Sequence, residues 1–349
     1  MTKKSIVKAL VFILIFATGF FSIQALLTGD PDTRDYRRIT DFFDQREGSL
    51  DAVFLGSSAT YSFWNSAVAW EEHGITVYPF ASAKQEILAA KYMIADAVKK
   101  HPDAVYIVNL TSVNEKYNFR IHRLIDGYPN TINKFRMINY LCDLGGHTLG
   151  QRMEFFFPII RFHDRWSELT RFDFNPPEEK YKSSLYYPSY LSKTKDVSGN
   201  LWDYEGKSDV SEQLLEGLDE LMDYCERKSI KLLFVLTPQS IKNEEKRGQQ
   251  NTLIEYVASK GFDTLDMNKV VDEIGLDTTI DFYDREHTNL HGSIKTTQYL
   301  SRYLIENYNL EDKRGKEEFS DWTQAAELYY ERISKHLIPD DYEYLDSLK

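Results

Sequence analysis

Short strand patterns alternate with helical patterns, and this alternation constrains the fold more than any other feature of the chain. We predict strands at 52–55, 75–78, 104–110, 230–236 and 262–265. Helical patterns lie between them at 84–99, 211–228 and 252–259. Strands separated by helices form a parallel sheet that helices cover on both faces. The sequence therefore predicts an α/β fold with a doubly wound parallel sheet.

The amino terminus predicts a membrane anchor. An uncharged, mostly apolar stretch runs from 9 to 27, about the length that a helix needs to cross a bilayer. Lysines precede it and aspartates follow it, at Lys3, Lys4, Lys8, Asp30, Asp32 and Asp35. This charge asymmetry places the start in the cytoplasm and the rest outside the cell membrane. A cleaved signal peptide is the alternative, but Ala25 is preceded two positions earlier by Ile23, which does not fit a small-x-small site.

Charge and composition along the chain predict its division into segments and exclude some classes of protein. Residues 1–29 are the predicted tip and anchor, 30–309 an α/β domain, and 310–349 a charged helical extension that packs on the domain or on a partner. The two cysteines, Cys142 and Cys225, are too few for a disulfide framework. A net charge of −12 argues against nucleic acid as a partner, because such binding needs a broad basic face.

Two short motifs predict a hydrolytic site. Gly56-Ser57-Ser58 follows the first apolar run, where a strand can deliver a hydroxyl to the rim of the sheet. Near the other end, Asp284 precedes His287 by three residues, close enough to orient the imidazole. Each motif alone also fits a tight turn or a chance spacing. Their order and context predict a Ser, His, Asp site.

The order of these motifs resembles the SGNH (GDSL-like) family of esterases and acyltransferases, over roughly residues 50 to 305. The resemblance implies a flavodoxin-like sheet, no cofactor and no metal. It assigns Ser58 as nucleophile, with its own N–H as an oxyanion donor, and Ser57 takes the place of the usual Asp. Membrane-attached Gram-positive relatives, including the teichoic-acid D-alanylation protein of the Dlt system, carry a similar Gly-Ser-Ser block.

The segments between these two motifs, after the second and third strands, depart from the family pattern. After the second strand the family usually has an Asn and then a Gly whose N–H faces the oxyanion, and here that glycine is absent. An N–H of Ala81 or Ser82 is the candidate replacement, with Gln85 as a candidate substrate contact. After the third strand, Asn114 is the candidate for the family's side-chain donor.

A metal site is the competing chemistry at the second motif. His287 and His291 stand four apart and would share a face if the segment were helical, with Asp284 and Glu286 as oxygen ligands. A zincin would place Glu directly after the first His, where this chain has Thr288.

An insertion from about 115 to 209 interrupts the α/β pattern and would form a helical, aromatic cap. Four of its residues are candidate contacts to an anionic or sugar-containing acceptor: Arg161, His163, Arg165 and Trp166. The alternative interpretation is a packed helical cap with surface ion pairs.

Together these features predict a membrane-anchored serine esterase or O-acyltransferase that acts on acyl esters of a cell-envelope polymer. The predicted partners are an envelope glycan or teichoic-acid-like acceptor and a membrane protein that donates acyl groups. Water as acceptor gives an esterase, and a polymer hydroxyl gives a transferase. The alternative, motivated by the absent glycine, is a non-catalytic envelope protein that uses the fold for binding or as a scaffold.

Overall fold

The computed structural model describes residues 2–28, 34–113, 119–174 and 195–334, and it confirms an α/β fold. Five strands form the central sheet: β1 (Ala52–Gly56), β2 (Val77–Ala81), β3 (Val105–Asn109), β4 (Leu232–Leu236) and β5 (Asp263–Asp266). A separate hairpin consists of β6 (Phe282–Asp284) and β7 (His287–Thr288).

The helices of the first half are α1 (Lys3–Thr28), α2 (Arg34–Asp44), α3 (Ser58–Ser62), α4 (Ser66–His73), α5 (Ala90–Ala97), α6 (His122–Ile125), α7 (Ile132–Leu144), α8 (Leu149–Phe156), α9 (Ile159–Phe162) and α10 (Arg171–Phe174). Those of the second half are α11 (Glu212–Arg227), α12 (Glu244–Ser259), α13 (Val271–Ile274), α14 (Leu290–Tyr308) and α15 (Ser320–Ser334). Short 3₁₀ helices lie at Ile87–Ala89, Phe119–Ile121, His163–Ser167, Met267–Val270 and Glu317–Phe319.

The sheet is entirely parallel, with the strand order β2-β1-β3-β4-β5. This is the order of flavodoxin-like doubly wound sheets, in which ligands bind beyond the carboxyl ends of the strands near the point where the order reverses. That point lies between β1 and β3. The sequence motif Gly56-Ser57-Ser58 begins at the carboxyl end of β1 and is therefore at the expected position.

Side chains of β1, β2, β3 and β4 alternate between two apolar layers. Val53 and Leu55 pack with α2, α5, α11 and α12 on one face. Ala52 and Phe54 pack with α14 on the other. Apolar side chains on both faces explain why the strands appear in the sequence as continuous apolar runs instead of alternating patterns.

Three predicted elements differ from the structure, and one of them, the helix predicted at 252–259, begins earlier, at Glu244. The second strand, predicted at 75–78, begins at Val77 and continues through Pro79 to Ala81. β2 is an edge strand, where a missing N–H is tolerated. The helix predicted at 84–99 becomes α-helical only at Ala90. A turn with Lys84 at a φ of +56° and a 3₁₀ segment precede it.

The carboxyl-terminal helix α15 packs into the domain. Trp322 and Tyr329 are buried, and α15 contacts α4. The Trp322 ring lies 5.8 Å from the Trp70 ring between centroids. Of the two predicted locations for this helix, the structure therefore places it on the domain.

The amino-terminal helix α1 is long and apolar enough to cross a membrane, and its apolar window is not buried in the protein. Near its end, Phe20 packs edge-on against Phe157 of the insertion, with ring centroids 5.9 Å apart. The aspartates predicted to flank the anchor at Asp30 and Asp32 lie outside the described residues.

Candidate active site

The turn that presents Ser58 requires a glycine. Gly56 has a φ of +153°, which L-residues rarely adopt. A Cβ at this position would lie 2.3 Å from Thr60 Oγ1 and 2.9 Å from Asn109 Cβ. Ser57 then adopts an extended conformation before α3, and Ser58 is the first residue of that helix. The chain thus turns sharply from β1 into α3 with Ser58 at the bend.

Replacing Gly56 by alanine is expected to destabilise the protein by about 2–4 kcal/mol, since backbone strain and overpacking add. The matched control is Gly261→Ala, because Gly261 also has a positive φ, of +87°, but has open space around its Cβ position. Urea unfolding of both variants separates the two contributions. Equal losses of unfolding free energy would contradict the close packing assigned to Gly56.

Ser58, His287 and Asp284 are joined by hydrogen bonds. Ser58 Oγ lies 2.8 Å from His287 Nε2. His287 Nδ1 lies 2.8 Å from Asp284 Oδ1 and 3.0 Å from Asp284 Oδ2. A carboxylate only accepts, so Nδ1 is the donor to Asp284, and Nε2 is the ring nitrogen that can accept from the serine hydroxyl. The structure brings together the three residues predicted from the sequence, in the arrangement of a nucleophile, a base and an orienting carboxylate.

The turn between β6 and β7 holds the Asp284 carboxylate. Asp284 Oδ1 also accepts hydrogen bonds from the backbone N–H groups of Glu286, at 2.8 Å, and His287, at 3.0 Å. Burial acts to raise the pKa of Asp284, but hydrogen bonds and charge from His287 and these N–H groups lower it below its ordinary value. The carboxylate therefore stays ionised at neutral pH.

The two neighbouring serines have different environments. Ser58 Oγ faces His287, whereas the hydroxyl of Ser57 forms a short hydrogen bond with that of Ser112, just after β3. Ser57 is buried and Ser58 is partly exposed. The geometry favours Ser58 as the nucleophile and gives Ser57 a structural contact between two strand ends.

A clamp that sequence analysis missed holds the Asp284–His287 turn against the loop after β4. Arg285 Nη1 donates to the carbonyl oxygens of Val197, at 3.0 Å, and Ser240, at 3.1 Å. The Ser240 N–H donates to the Arg285 carbonyl at 2.9 Å, and Gln239 Nε2 donates to the Glu286 carbonyl at 2.9 Å. Arg285 lies inside the motif, but its partners are more than 40 residues away, so no local pattern signals them.

Breaking this clamp is expected to slow the reaction of Ser58. Arg285→Ala should lower its labelling rate with a serine-directed probe roughly tenfold to a hundredfold, because a displacement of about 1 Å in the base has an effect of that size. Lys246→Ala is the control, since Lys246 contacts the same turn only through an ion pair with Glu286 at the surface. If Arg285→Ala, shown by circular dichroism to be folded, labelled as fast as Lys246→Ala, the clamp would have no positioning role.

Two threonines connect the histidine to the helix that carries the serine. The Thr288 hydroxyl donates to the Ser62 carbonyl, and Thr296 Oγ1 donates to the Phe63 carbonyl at 2.7 Å. Both threonines are buried. They fix the start of α14 and strand β7 against the end of α3, which sets the distance between His287 and Ser58.

One of the predicted oxyanion donors already has a partner in the turn after β2. The Ser82 N–H donates to Gln85 Oε1 at 3.0 Å, so it is already engaged by the side chain predicted to contact substrate. Gln85 is buried and closes the turn after β2. Ala81 is the last residue of β2, in register with Gly56. Asn114 lies outside the described residues. Of the predicted donors, the Ser58 N–H is the one that adjoins the serine hydroxyl.

The predicted acceptor contacts of the insertion form internal contacts instead. Arg161 pairs with Asp126, and Arg165 pairs with Asp173 and donates to the Leu26 and Leu27 carbonyls at the end of α1. His163 Nδ1 contacts the Ile160 carbonyl at 2.8 Å. These contacts support the alternative of a packed helical segment with ion pairs. Trp166 remains exposed.

The alternative of a metal site required His287 and His291 to lie on one helix. His287 belongs to strand β7 and His291 to helix α14, so the two side chains do not share one helix face. Within residues 2–28, 34–113, 119–174 and 195–334, no three His, Cys, Asp or Glu side chains are grouped as metal ligands would be.

Comparison of the sequence with protein-family models found no match, and neither did comparison with curated proteins. The function of the chain is therefore inferred from the geometry of this site.

Proposed function

We propose that the protein is a membrane-anchored serine esterase or O-acyltransferase of the SGNH type, which forms an acyl-enzyme on Ser58. The observation that carries the proposal is the continuous hydrogen-bonded chain from Ser58 Oγ through both nitrogens of His287 to Asp284. In it, His287 takes the serine proton while the oxygen attacks an ester or thioester carbonyl. The same imidazole then returns the proton to the leaving group.

The second half of the reaction decides between hydrolysis and transfer. The acyl group leaves Ser58 when a second oxygen nucleophile, deprotonated by His287, attacks the acyl-enzyme carbonyl. Water gives the carboxylic acid, and a polymer hydroxyl gives a new ester. With α1 spanning the membrane and Lys3, Lys4 and Lys8 in the cytoplasm, the site lies outside the cell, where glycans and teichoic-acid-like polymers supply such hydroxyls.

The test is labelling of the purified protein with a fluorophosphonate probe, followed by mapping of the modified peptide. We expect one adduct, on Ser58, even though Ser57 and Ser62 lie on the same peptide. An adduct on either neighbour would refute the assignment of the nucleophile. Prior incubation with an acyl ester that reacts at the site should slow the labelling.

A non-catalytic binding or scaffold protein is the second candidate, and one observation favours it. The Ser82 N–H, at the position where an oxyanion donor was predicted, is taken up by Gln85. A site with too few donors would stabilise the tetrahedral intermediate poorly. Folded wild-type protein that binds envelope polymer yet does not react with the probe would support this candidate against the enzyme.

A further inference from the structure

The exposed apolar side chains of the domain are concentrated in the insertion. Among the described residues outside α1, the insertion holds every exposed large apolar side chain except Ile280. These side chains are Ile132, Phe135, Leu149, Met153, Ile160, Trp166 and Phe174. Leu149 is 75% exposed and Ile132 is 59% exposed. A soluble domain rarely leaves such a group in water, so this surface is expected to have a partner.

The same insertion is attached to the end of α1. Phe157 packs on Phe20, and Arg165 Nη1 donates to the Leu26 and Leu27 carbonyls at 2.9 and 3.0 Å. The last carbonyls of a helix lack partners within it, and they are costly to leave unpaired near an apolar phase. Arg165 satisfies two of them and complements the negative end of the helix dipole.

The position of α1 in a bilayer sets the depth of these contacts. Lys8 and Leu27 are separated by about 28 Å along a helix that rises 1.5 Å per residue. This matches a hydrocarbon core of about 30 Å. With Lys8 at the cytoplasmic boundary, Leu27 reaches the outer boundary, and Phe20 lies about 10 Å inside it. Sliding α1 outward would draw Lys8 into the hydrocarbon, which is unfavourable.

A groove lies at this depth between α1 and the insertion. Its volume is about 690 Å³, and its apolar wall includes Phe21 of α1 with Phe135, Leu149, Met153 and Phe156. Its polar lining includes Asn130, Asn139 and Arg152, and Arg152 donates to Asn139 Oδ1 at 2.9 Å. Arg152 also pairs with Asp143, so its charge is balanced within the protein. An apolar wall with a polar rim matches the chemistry of a lipid, with its acyl chains and its headgroup.

We propose that the insertion docks into the outer leaflet of the membrane beside α1, with lipid acyl chains filling the groove. This inference rests on the part of the proposed function that makes α1 a membrane span, and it is independent of the chemistry at Ser58. The docked surface is the face of α7 and α8 that carries Ile132, Phe135, Leu149 and Met153. This surface attaches the domain to the membrane in addition to the anchor helix α1.

The test uses the full chain, reconstituted in phosphatidylcholine and phosphatidylglycerol vesicles that contain doxyl-labelled lipid. Cysteines introduced at the exposed positions Leu149 and Ile132 carry bimane, whose fluorescence the doxyl group quenches on contact. Phe12→Cys, within the apolar stretch of α1, reports insertion of that helix, and Glu306→Cys, exposed on the opposite face of the sheet, reports water. Burial raises the pKa of Cys142 to about 11 and that of Cys225 to about 12, so the native thiols do not compete for the label.

Bimane at Leu149 and Ile132 should be quenched about twofold more than at Glu306, as expected for side chains buried some 5–10 Å into the interface. Quenching equal to that at Glu306, with strong quenching at Phe12, would refute the docked insertion and leave the anchor intact. Weak quenching at Phe12 as well would refute both the anchor and the docking. Fluorophosphonate labelling of the same vesicles reports separately whether Ser58 reacts.

Discussion

Ser58→Ala is expected to lower the turnover of an activated ester such as 4-nitrophenyl acetate by about 10⁴-fold to 10⁶-fold, to the level left by binding and oxyanion contacts alone. Alanine removes the hydroxyl oxygen that lies 2.8 Å from His287 Nε2. Without that oxygen no acyl-enzyme forms. Steady-state hydrolysis and a single-turnover burst, measured on the same preparation, report the two half-reactions.

Ser57→Ala is the matched control, because it makes the same chemical change one residue earlier. Ser57 contacts Ser112, not the histidine, so its loss should cost about 1 kcal/mol of stability and change turnover less than tenfold. The proposal would be wrong if Ser58→Ala kept most of its activity. It would also be wrong if Ser57→Ala lost as much activity as Ser58→Ala while remaining folded.

The strands and the serine–histidine pairing could be predicted because local patterns encode them. A strand buried on both faces is a continuous apolar run, and four of the five strands lie within two residues of their predicted bounds. In a parallel sheet, the residues that follow the strands gather at one edge. Ser58 after β1 and His287 before α14 therefore meet although 229 positions separate them.

The contacts that tune the site could not be predicted, because no repeating pattern in the sequence marks the partner of each polar side chain. The Arg285 guanidinium appears in the sequence as an ordinary surface charge, yet it donates to three carbonyls from other loops. Gln85 was interpreted as a substrate contact, yet its carbonyl oxygen accepts from the Ser82 N–H three residues earlier. Arg165 is a candidate contact to an anionic acceptor, yet it pairs with Asp173 and donates to two carbonyls of α1. In each case a polar group has an internal partner that only the folded chain supplies.

Asp284→Asn is expected to lower turnover by about 10⁴-fold, because it reverses the tautomer of His287. An amide can turn its NH₂ group toward Nδ1, and the imidazole proton then moves to Nε2, which no longer accepts from Ser58. The turn itself should survive. The amide oxygen can still accept from the N–H groups of Glu286 and His287, as Asp284 Oδ1 does now.

Glu286→Gln distinguishes this effect from a general loss of negative charge in the turn. Glu286 is two residues away, and its side chain is more than half exposed and pairs with Lys246 at 3.2 Å. A surface pair of this kind contributes about 1 kcal/mol or less, so this variant should keep its turnover within about fivefold. Kinetics of both variants at neutral pH, with thermal unfolding to show that each is folded, give the comparison. If the turnover of Asp284→Asn were within tenfold of that of the wild type, the carboxylate would not set the tautomer of His287. The acyl-transfer mechanism proposed for Ser58 would then lack the general base that it assigns.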